Sequence, residues 1–184
     1  MIKLEMSARH IHVSREDLDI LYGKNYKLTV RNELSQPGQF VSNEKVEVIG
    51  NRSSGNFSIL GPERSKTQVE LSFSDARALG IDAPIRESGD IKNSGNCKIK
   101  GPAGEIEIKE GVIVAKRHIH MTEKDAEDHN VKNGDIVKVE TNSKERKVIF
   151  DDVVIRVNDN FSLAMHIDTD EANASFGATE VKII

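Results

Sequence analysis

The chain has 184 residues, of which 37% are hydrophobic and 30% charged, and its formal net charge is −4. No apolar run approaches the roughly 20 residues of a membrane-spanning helix, and the interspersed charges argue against a broad nucleic-acid-binding face. The first ten residues lack the basic and apolar regions of a signal peptide, and the single cysteine, Cys97, excludes an internal disulfide, so we expect a cytoplasmic protein.

Short strand-like runs dominate the chain. They are rich in valine and isoleucine, often alternate with polar residues, and are separated by turn sequences such as NRSSGN and GPAGE. The runs cover residues 45–50, 56–61, 66–72, 105–117, 135–141, 146–157 and 179–184. Many short strands with few helices indicate a mainly β fold, built as barrels or as a sandwich with small helical caps.

Four short helices are predicted, over about residues 14–22, 73–79, 122–129 and 169–175. Two of them begin with a hydroxyl residue that is followed three positions later by an acid. These pairs are Ser14 with Asp17 and Thr122 with Asp125. The spacing resembles a capping box, in which the two side chains satisfy backbone N–H groups at the start of a helix.

An internal repeat is the most informative feature of the sequence. RHIHVSREDLDIL (9–21) aligns with RHIHMTEKDAEDH (117–129), so that the H-x-H unit, the helix cap and the short helix all coincide. Further along each half, QVELSFSDARAL (68–79) can be laid over AMHIDTDEANAS (164–175), although few residues are identical. This second alignment places Glu70 opposite His166, and it predicts two similar β domains produced by duplication.

The repeated histidines suggest metal binding. Residues i and i+2 of a strand point to the same side, so His10 and His12 present two imidazoles together, and His118 and His120 do the same. With Glu70 and His166 added, six nitrogen and oxygen ligands form two sets of three. Such sets suit two catalytic Zn²⁺ ions with open positions. A single H-x-H is more often surface histidine, and His129, which has no counterpart, is read as a solvated residue.

The segment LGPERSKTQVE (60–70) carries a candidate anion-binding residue. Arg64 lies six residues before Glu70, whereas the aligned position of the second half is Asn160. A guanidinium group offers a planar fork for phosphate or carboxylate. From spacing alone, a solvated arginine in a charged turn is the simpler interpretation.

Six blocks together give the sequence a family resemblance. They are SARHIHVS, ELSQPGQF, LGPERSKTQVE, IRESGD, EGVIVAKRHIHM and MHIDTDEANA, and they extend from about residue 6 to residue 176. The chain resembles the PduL-type phosphate acyltransferases, the phosphate propanoyltransferases and their relatives. The resemblance implies two small antiparallel β-barrels capped by short helices, over residues 9–115 and over residues 1–8 plus 116–184, with the active site between them.

The same resemblance implies the function and the roles of the site residues. The reaction would exchange a propanoyl or acetyl group between coenzyme A and inorganic phosphate. One zinc would be held by His10, His12 and Glu70, and the other by His118, His120 and His166. Arg64 would bind phosphate, and Ser7 and Asn173 match positions near coenzyme A. Family members in bacterial microcompartments carry an N-terminal extension. Because His10 lies so near the start, we expect a free cytoplasmic enzyme, for example one in acetate metabolism, while propanediol utilization is the other pathway that the resemblance suggests.

Two alternatives remain open at this stage. No G-x-S-x-G, P-loop or G-x-G-x-x-G motif is present, so any chemistry would rest on metals and a bound anion. A binuclear zinc hydrolase of thioesters or phosphoesters would use water instead of phosphate. A non-catalytic metal-binding barrel would hold its metals without an open coordination position. The substrates acyl-CoA and phosphate would be the partners, and a homo-oligomer is compatible with the sequence.

Overall fold

A computed structural model describes all residues from 1 to 184 as two compact units. Arg9–Ala115 forms the N-terminal barrel, and Met1–Ala8 together with Lys116–Ile184 forms the C-terminal barrel. The strands are β1 (Ile2–Met6), β2 (His10–His12), β3 (Val30–Glu33), β4 (Phe40–Ile49), β5 (Ser54–Gly61), β6 (Gln68–Glu70), β7 (Ile85–Arg86), β8 (Gly95–Lys100), β9 (Glu105–Ala115), β10 (His118–Met121), β11 (Ile136–Thr141), β12 (Ile149–Val157), β13 (Ala164–Ile167) and β14 (Glu180–Ile183). The helices are α1 (Arg15–Tyr22), α2 (Phe73–Leu79), α3 (Glu123–His129) and α4 (Thr169–Ala174).

Each unit contains a closed ring of strands. The ring of the N-terminal barrel runs β4-β5-β2-β6-β9-β8 and returns to β4, while β3 and β7 extend its sheet. The ring of the C-terminal barrel runs β11-β12-β10-β13-β1-β14 and returns to β11. The expected fold of two small β-barrels with short helices is therefore confirmed.

The two rings have the same order of parallel and antiparallel pairs. In each ring the H-x-H strand runs parallel to one neighbour; these pairs are β2 with β5 and β10 with β12. The strand of the third candidate ligand runs parallel to another neighbour; these pairs are β6 with β9 and β13 with β1. The other ring neighbours are antiparallel, so pairing is mixed and not wholly antiparallel as the sequence suggested. Parallel neighbours need a long connection, and here they are distant in sequence, as β1 is from β13. β1 holds the place in the C-terminal barrel that β9 holds in the N-terminal one.

An apolar core fills each barrel. The central residues of the H-x-H units, Ile11 and Ile119, are completely buried among other aliphatic side chains. Phe57 and Ile59 surround Ile11 in one core, and Met165 packs in the core of Ile119. Because neighbouring side chains of a strand alternate between faces, burial of the isoleucines holds the flanking histidines on the opposite face.

The helices start where the sequence predicts. Ser14, Ser72, Thr122 and Asp168 are the N-caps, and each side chain accepts a hydrogen bond from the backbone three residues on. Thr122 and Asp125 form the predicted capping box. At α1, by contrast, the Asp17 carboxylate accepts a hydrogen bond from Thr67, whose hydroxyl accepts from the Ser14 N–H. None of the four helices has the length and apolar character needed to cross a membrane.

Candidate metal centres

Two strand pairs with the same register position the six candidate ligands. In the N-terminal barrel, antiparallel β2 and β6 pair His10 with Glu70, Ile11 with Val69 and His12 with Gln68. In the C-terminal barrel, antiparallel β10 and β13 pair His118 with His166, Ile119 with Met165 and His120 with Ala164. The weak sequence alignment of Glu70 with His166 is therefore matched by the position of each residue in its sheet.

Each strand pair brings three donor side chains together. His10, His12 and Glu70 form the first triad, and His118, His120 and His166 form the second. Within each triad the ligand atoms all lie within 4.8 Å of one another, although these atoms come from two strands in both cases. Imidazole nitrogen and carboxylate oxygen are the ligands that Zn²⁺ uses in catalytic sites with three protein ligands. The donor sets therefore fit the metal that the sequence predicts.

The first triad is buried and charged in a way that suits a metal ion. His10 Nε2 lies 3.5 Å from Glu70 Oε2, and His12 Nε2 lies 3.7 Å from Glu70 Oε1. Burial, together with neighbouring His10, lowers the pKa of His12 to about 3. Burial would raise the pKa of Glu70, but His10, His12 and a hydrogen bond from Ser88 outweigh it and lower this pKa. A neutral imidazole and an ionised carboxylate are the protonation states that bind metals.

The second triad consists of three imidazoles. Their ring centroids are separated by 4.6 to 5.2 Å. His118 Nδ1 lies 2.8 Å from the Lys116 carbonyl oxygen, which can only accept, so Nδ1 carries the proton and Nε2 is left as the metal-binding atom. The Glu5 carboxylate of β1 lies 3.8 Å from His166 Nδ1. Backbone and carboxylate groups of this kind orient metal-binding histidines.

Arg64 belongs to the surroundings of the first triad. Its Nη1 donates a hydrogen bond of 3.1 Å to Ser88 Oγ, and its positive charge contributes to the lowered pKa values of His12 and Glu70. The Arg64 N–H donates to the carbonyl of Val13, directly after the H-x-H unit.

The structural counterpart of Arg64 differs from the one expected by alignment. In the C-terminal barrel, the N–H of Asn158 donates to the carbonyl of Met121, which also directly follows an H-x-H unit. Asn158 therefore replaces Asn160 as the equivalent residue. The segment from Asn158 to His166 is longer than the segment from Arg64 to Glu70. An alignment without gaps therefore pairs Arg64 with a residue that is not its structural counterpart. Either way, the second triad has no arginine at this position.

The two residues predicted to lie near coenzyme A are both in the C-terminal barrel and outside the triads. Ser7 directly follows β1, is half-buried, and donates its backbone N–H to the carbonyl of Ile167 at 2.8 Å. Asn173 lies on α4 and is exposed. Their contact with coenzyme A stays a prediction.

Three supporting side chains were not identified from the sequence. Gln68 and Ser88 donate hydrogen bonds to Glu70, and Glu5 lies beside His166. Gln68 could have been found, because it precedes Glu70 by two positions and therefore shares its side of β6. Ser88 comes from a separate loop and Glu5 from a strand far away in sequence, so no local pattern indicates their positions.

Comparison with known proteins assigns the chain to a class of enzyme. Residues 3–178 match the family described as phosphate propanoyltransferase. Phosphate propanoyltransferases from three bacteria are similar over most of both chains. That of Alkaliphilus metalliredigens is 50% identical, over 95% of this chain and 82% of its own length. Those of Thermotoga maritima and Clostridioides difficile are each 51% identical, over 92% and 94% of this chain and over 81% and 83% of their own lengths.

The class that these matches define is that of the acyltransferase enzymes. Within that class, the chain belongs to the phosphate propanoyltransferase family, which confirms the resemblance seen in the sequence.

Proposed function

We propose that the protein transfers a short acyl group, propanoyl or acetyl, between coenzyme A and inorganic phosphate, with one Zn²⁺ bound by each triad. The observation that carries this proposal is the recurrence of a three-ligand cluster at the same register in both barrels, one of them beside Arg64. A hydrolase of thioesters would not need a residue that binds phosphate. A purely structural metal site would use four protein ligands, and each triad offers three.

In this proposal the chain's own residues bind and orient the two substrates. Arg64 holds phosphate through its planar fork beside the first triad, which replaces a bimolecular encounter with a local one. Ser7 and Asn173 contact coenzyme A. A phosphate oxygen attacks the thioester carbon, the carbon–sulfur bond breaks, and its electron pair leaves on the sulfur. Zinc, when bound, would polarise the thioester carbonyl and stabilise the thiolate that leaves.

The protein itself supplies no covalent intermediate in this scheme. Cys97 is free but lies in the core of the N-terminal barrel, where burial raises the pKa of its thiol to about 12. A thiol in this state is neither exposed nor ionised, so it is not a nucleophile. The location in the cytoplasm and the formation of a homo-oligomer stay predictions of the sequence.

The proposed reaction is tested by the release of coenzyme A from propanoyl-CoA and acetyl-CoA, measured with and without phosphate. We expect release only with phosphate, and one acyl phosphate formed for each coenzyme A. Release at the same rate without phosphate would contradict the proposal and favour the hydrolase.

The metal assignment is tested separately by elemental analysis of protein purified without chelators. We expect two zinc ions per chain. One zinc per chain, or none, would contradict the two-zinc site whatever the outcome of the activity assay.

A further inference from the structure

The Glu70 carboxylate of the first triad is held by a neighbouring amide. Gln68 is 2% exposed, and its Nε2 donates hydrogen bonds of 2.6 Å to Glu70 Oε1 and 3.0 Å to Ser88 Oγ. Its Oε1 accepts a hydrogen bond of 2.8 Å from the N–H of Gly89. Because the Gly89 N–H can only donate, the amide of Gln68 must be oriented with its nitrogen toward Glu70.

Counting donors and acceptors shows that one carboxylate oxygen is fully used. Ser88 Oγ accepts from Gln68 and from Arg64, and donates its single hydrogen to Glu70 Oε1 at 2.7 Å. Glu70 Oε1 therefore accepts two hydrogen bonds, one from Gln68 and one from Ser88. Each oxygen lies near one histidine, Oε1 at 3.7 Å from His12 Nε2 and Oε2 at 3.5 Å from His10 Nε2, but both hydrogen bonds from Gln68 and Ser88 go to Oε1. The network thus distinguishes two oxygens that are chemically equivalent in a free carboxylate.

The second triad serves as an internal comparison. The position of Gln68, opposite the second histidine of the H-x-H unit, is occupied there by Ala164. The ligand two residues later is then an imidazole, His166, in place of a carboxylate. A carboxylate can bind a metal through either oxygen or through both, whereas a neutral imidazole offers a single lone pair in the ring plane, on the nitrogen that carries no proton. The amide is therefore found beside Glu70, whose two oxygens could each bind a metal, and not beside His166.

We propose that Gln68 is a positioning residue for the first triad. By occupying Oε1 of Glu70, directly and through Ser88, it leaves Oε2 as the oxygen that binds the metal. The hydroxyl of Ser88, which accepts a hydrogen bond from Gln68, also links the carboxylate to Arg64. This inference rests on the proposed function only in taking zinc as the metal of the first triad.

The test is the zinc affinity of each triad, measured by competition with a chromophoric chelator. The His118→Ala background reports the first triad, and the His10→Ala background reports the second. Gln68→Met keeps the shape of the side chain and removes its hydrogen bonds. We expect it to weaken zinc binding by the first triad about 10- to 100-fold, the usual cost of losing an outer-shell partner, and to leave the second triad unchanged.

The variant Gln68→Glu tests whether Gln68 acts by positioning the Glu70 carboxylate or by holding the loop at Gly89. The variant keeps an acceptor for the Gly89 N–H but has no N–H to donate, and it places a second carboxylate beside Glu70. We expect a loss of zinc affinity at least as large as that of Gln68→Met. If Gln68→Glu binds zinc as the parent does, the proposal is wrong.

Thr67→Val is the matched control. Thr67 is also buried and directly precedes Gln68, but its hydrogen bonds go to Ser14 and Asp17, at the start of α1. We expect both zinc affinities to be unchanged in this variant, even if thermal unfolding shows a lower stability. An equal loss of affinity in Thr67→Val and Gln68→Met would show a general effect on the barrel and would overturn the proposal.

The outcome is independent of acyl transfer. If the first triad binds zinc and Gln68→Met weakens it, but the parent releases no coenzyme A with phosphate, the proposed reaction fails and the positioning role stands. If Gln68→Met keeps the parent's affinity while phosphate-dependent release is observed, the positioning role fails and the reaction stands. A parent chain whose first triad binds no zinc would overturn both.

Discussion

The two triads occupy the same positions in two copies of one barrel but differ in where their carboxylate lies. In the first triad the ligand itself is a carboxylate, Glu70, and its parallel neighbour in the ring is the buried Ile113. In the second triad the ligand is His166, and its parallel neighbour is Glu5. One carboxylate therefore lies beside each set of imidazoles. In the first triad it is on the strand of the third ligand, and in the second it is on the neighbouring strand. The two barrels therefore share a strand arrangement and differ in their donors, so a charged ligand side chain is present in the first triad and absent from the second.

The surroundings of the triads differ in a second way. One backbone N–H donates to the carbonyl that directly follows each H-x-H unit. It belongs to Arg64 in the N-terminal barrel and to Asn158 in the C-terminal barrel. A cation beside a triad favours a bound anion, whereas an amide does not. These differences support the proposal that phosphate binds beside the first triad and not beside the second.

Removal of one ligand from either triad is expected to have the largest effect. His10→Ala and His118→Ala should each lose one of two zinc ions and lower acyl transfer by about a thousandfold or more, since a metal contributes several kcal/mol to the transition state. Elemental analysis and the coenzyme A release assay measure both losses. If one variant kept full activity after losing its zinc, the corresponding triad would have no part in catalysis.

Exchange of Arg64 tests whether the phosphate site belongs to the first barrel. Arg64→Ala should lower phosphate-dependent turnover by about a hundredfold, equivalent to roughly 3 kcal/mol from one charged contact in the transition state. Zinc content should not change, because the guanidinium is not a ligand. Arg64→Lys should recover little activity, since an ammonium group cannot form the bidentate fork.

The control for this experiment is Asn158→Ala in the other barrel. We expect the KM for phosphate to be that of the parent, because this residue carries no charge to hold an anion. An unaltered KM and rate in Arg64→Ala would show that Arg64 is a solvated turn residue and that phosphate is held elsewhere.

Much of the fold follows from local sequence patterns. The four helix starts were predictable because a capping side chain and the backbone N–H that it accepts from are three residues apart. Alternating apolar residues likewise indicated the strands. The mixed strand pairing was not predicted, because it joins strands such as β1 and β13 whose contact depends on closure of the whole ring.

The candidate site divides in the same way. Each H-x-H pair was predictable because two residues on one strand share a side, and the repeat then pointed to Glu70 and His166. That these residues bind zinc stays a prediction. Of the partners of the ligands, Gln68 could have been found from its place on the strand of Glu70, but Ser88 reaches Glu70 from a loop and Glu5 comes from a distant strand. The equivalence of Arg64 and Asn158 was missed because the connecting segments differ in length.

The position of Glu5 gives a smaller test of the comparison. Glu5→Gln keeps the size of the side chain and removes its charge, so His166 loses a carboxylate that lies 3.8 Å from its Nδ1. We expect the zinc affinity of the second triad to fall about tenfold, at the low end for an outer-shell partner, with the first triad unaffected. Chelator competition in the His10→Ala background measures this affinity. A change confined to the first triad would contradict the assignment.

The last expected effect is on stability alone and concerns the helices that follow the third ligands. Each has in its first turn an acid that pairs with the arginine before an H-x-H unit: Asp75 lies 2.9 Å from Arg9, and Glu171 lies 3.2 Å from Arg117. Burial raises the pKa of Glu171 to about 7, against the opposing effects of the Asp168 N–H and of Arg117. The charges of nearby Asp168 and Asp170 contribute to this rise.

The sign of the resulting pH dependence follows from where the proton is bound. Between its ordinary pKa of 4.5 and about 7, Glu171 is protonated in the folded chain and ionised in the unfolded chain. The folded state therefore binds more protons, and the free energy of unfolding falls as the pH rises through this window. Glu171→Gln cannot titrate, so this part of the decline should disappear, by about 1 to 3 kcal/mol between about pH 5 and about pH 8. Denaturant unfolding of zinc-loaded parent and variant across this range measures the two slopes. The absolute stability of the variant is not decisive, because glutamine also gives up the ion pair with Arg117, but equal slopes would show that Glu171 is ionised throughout.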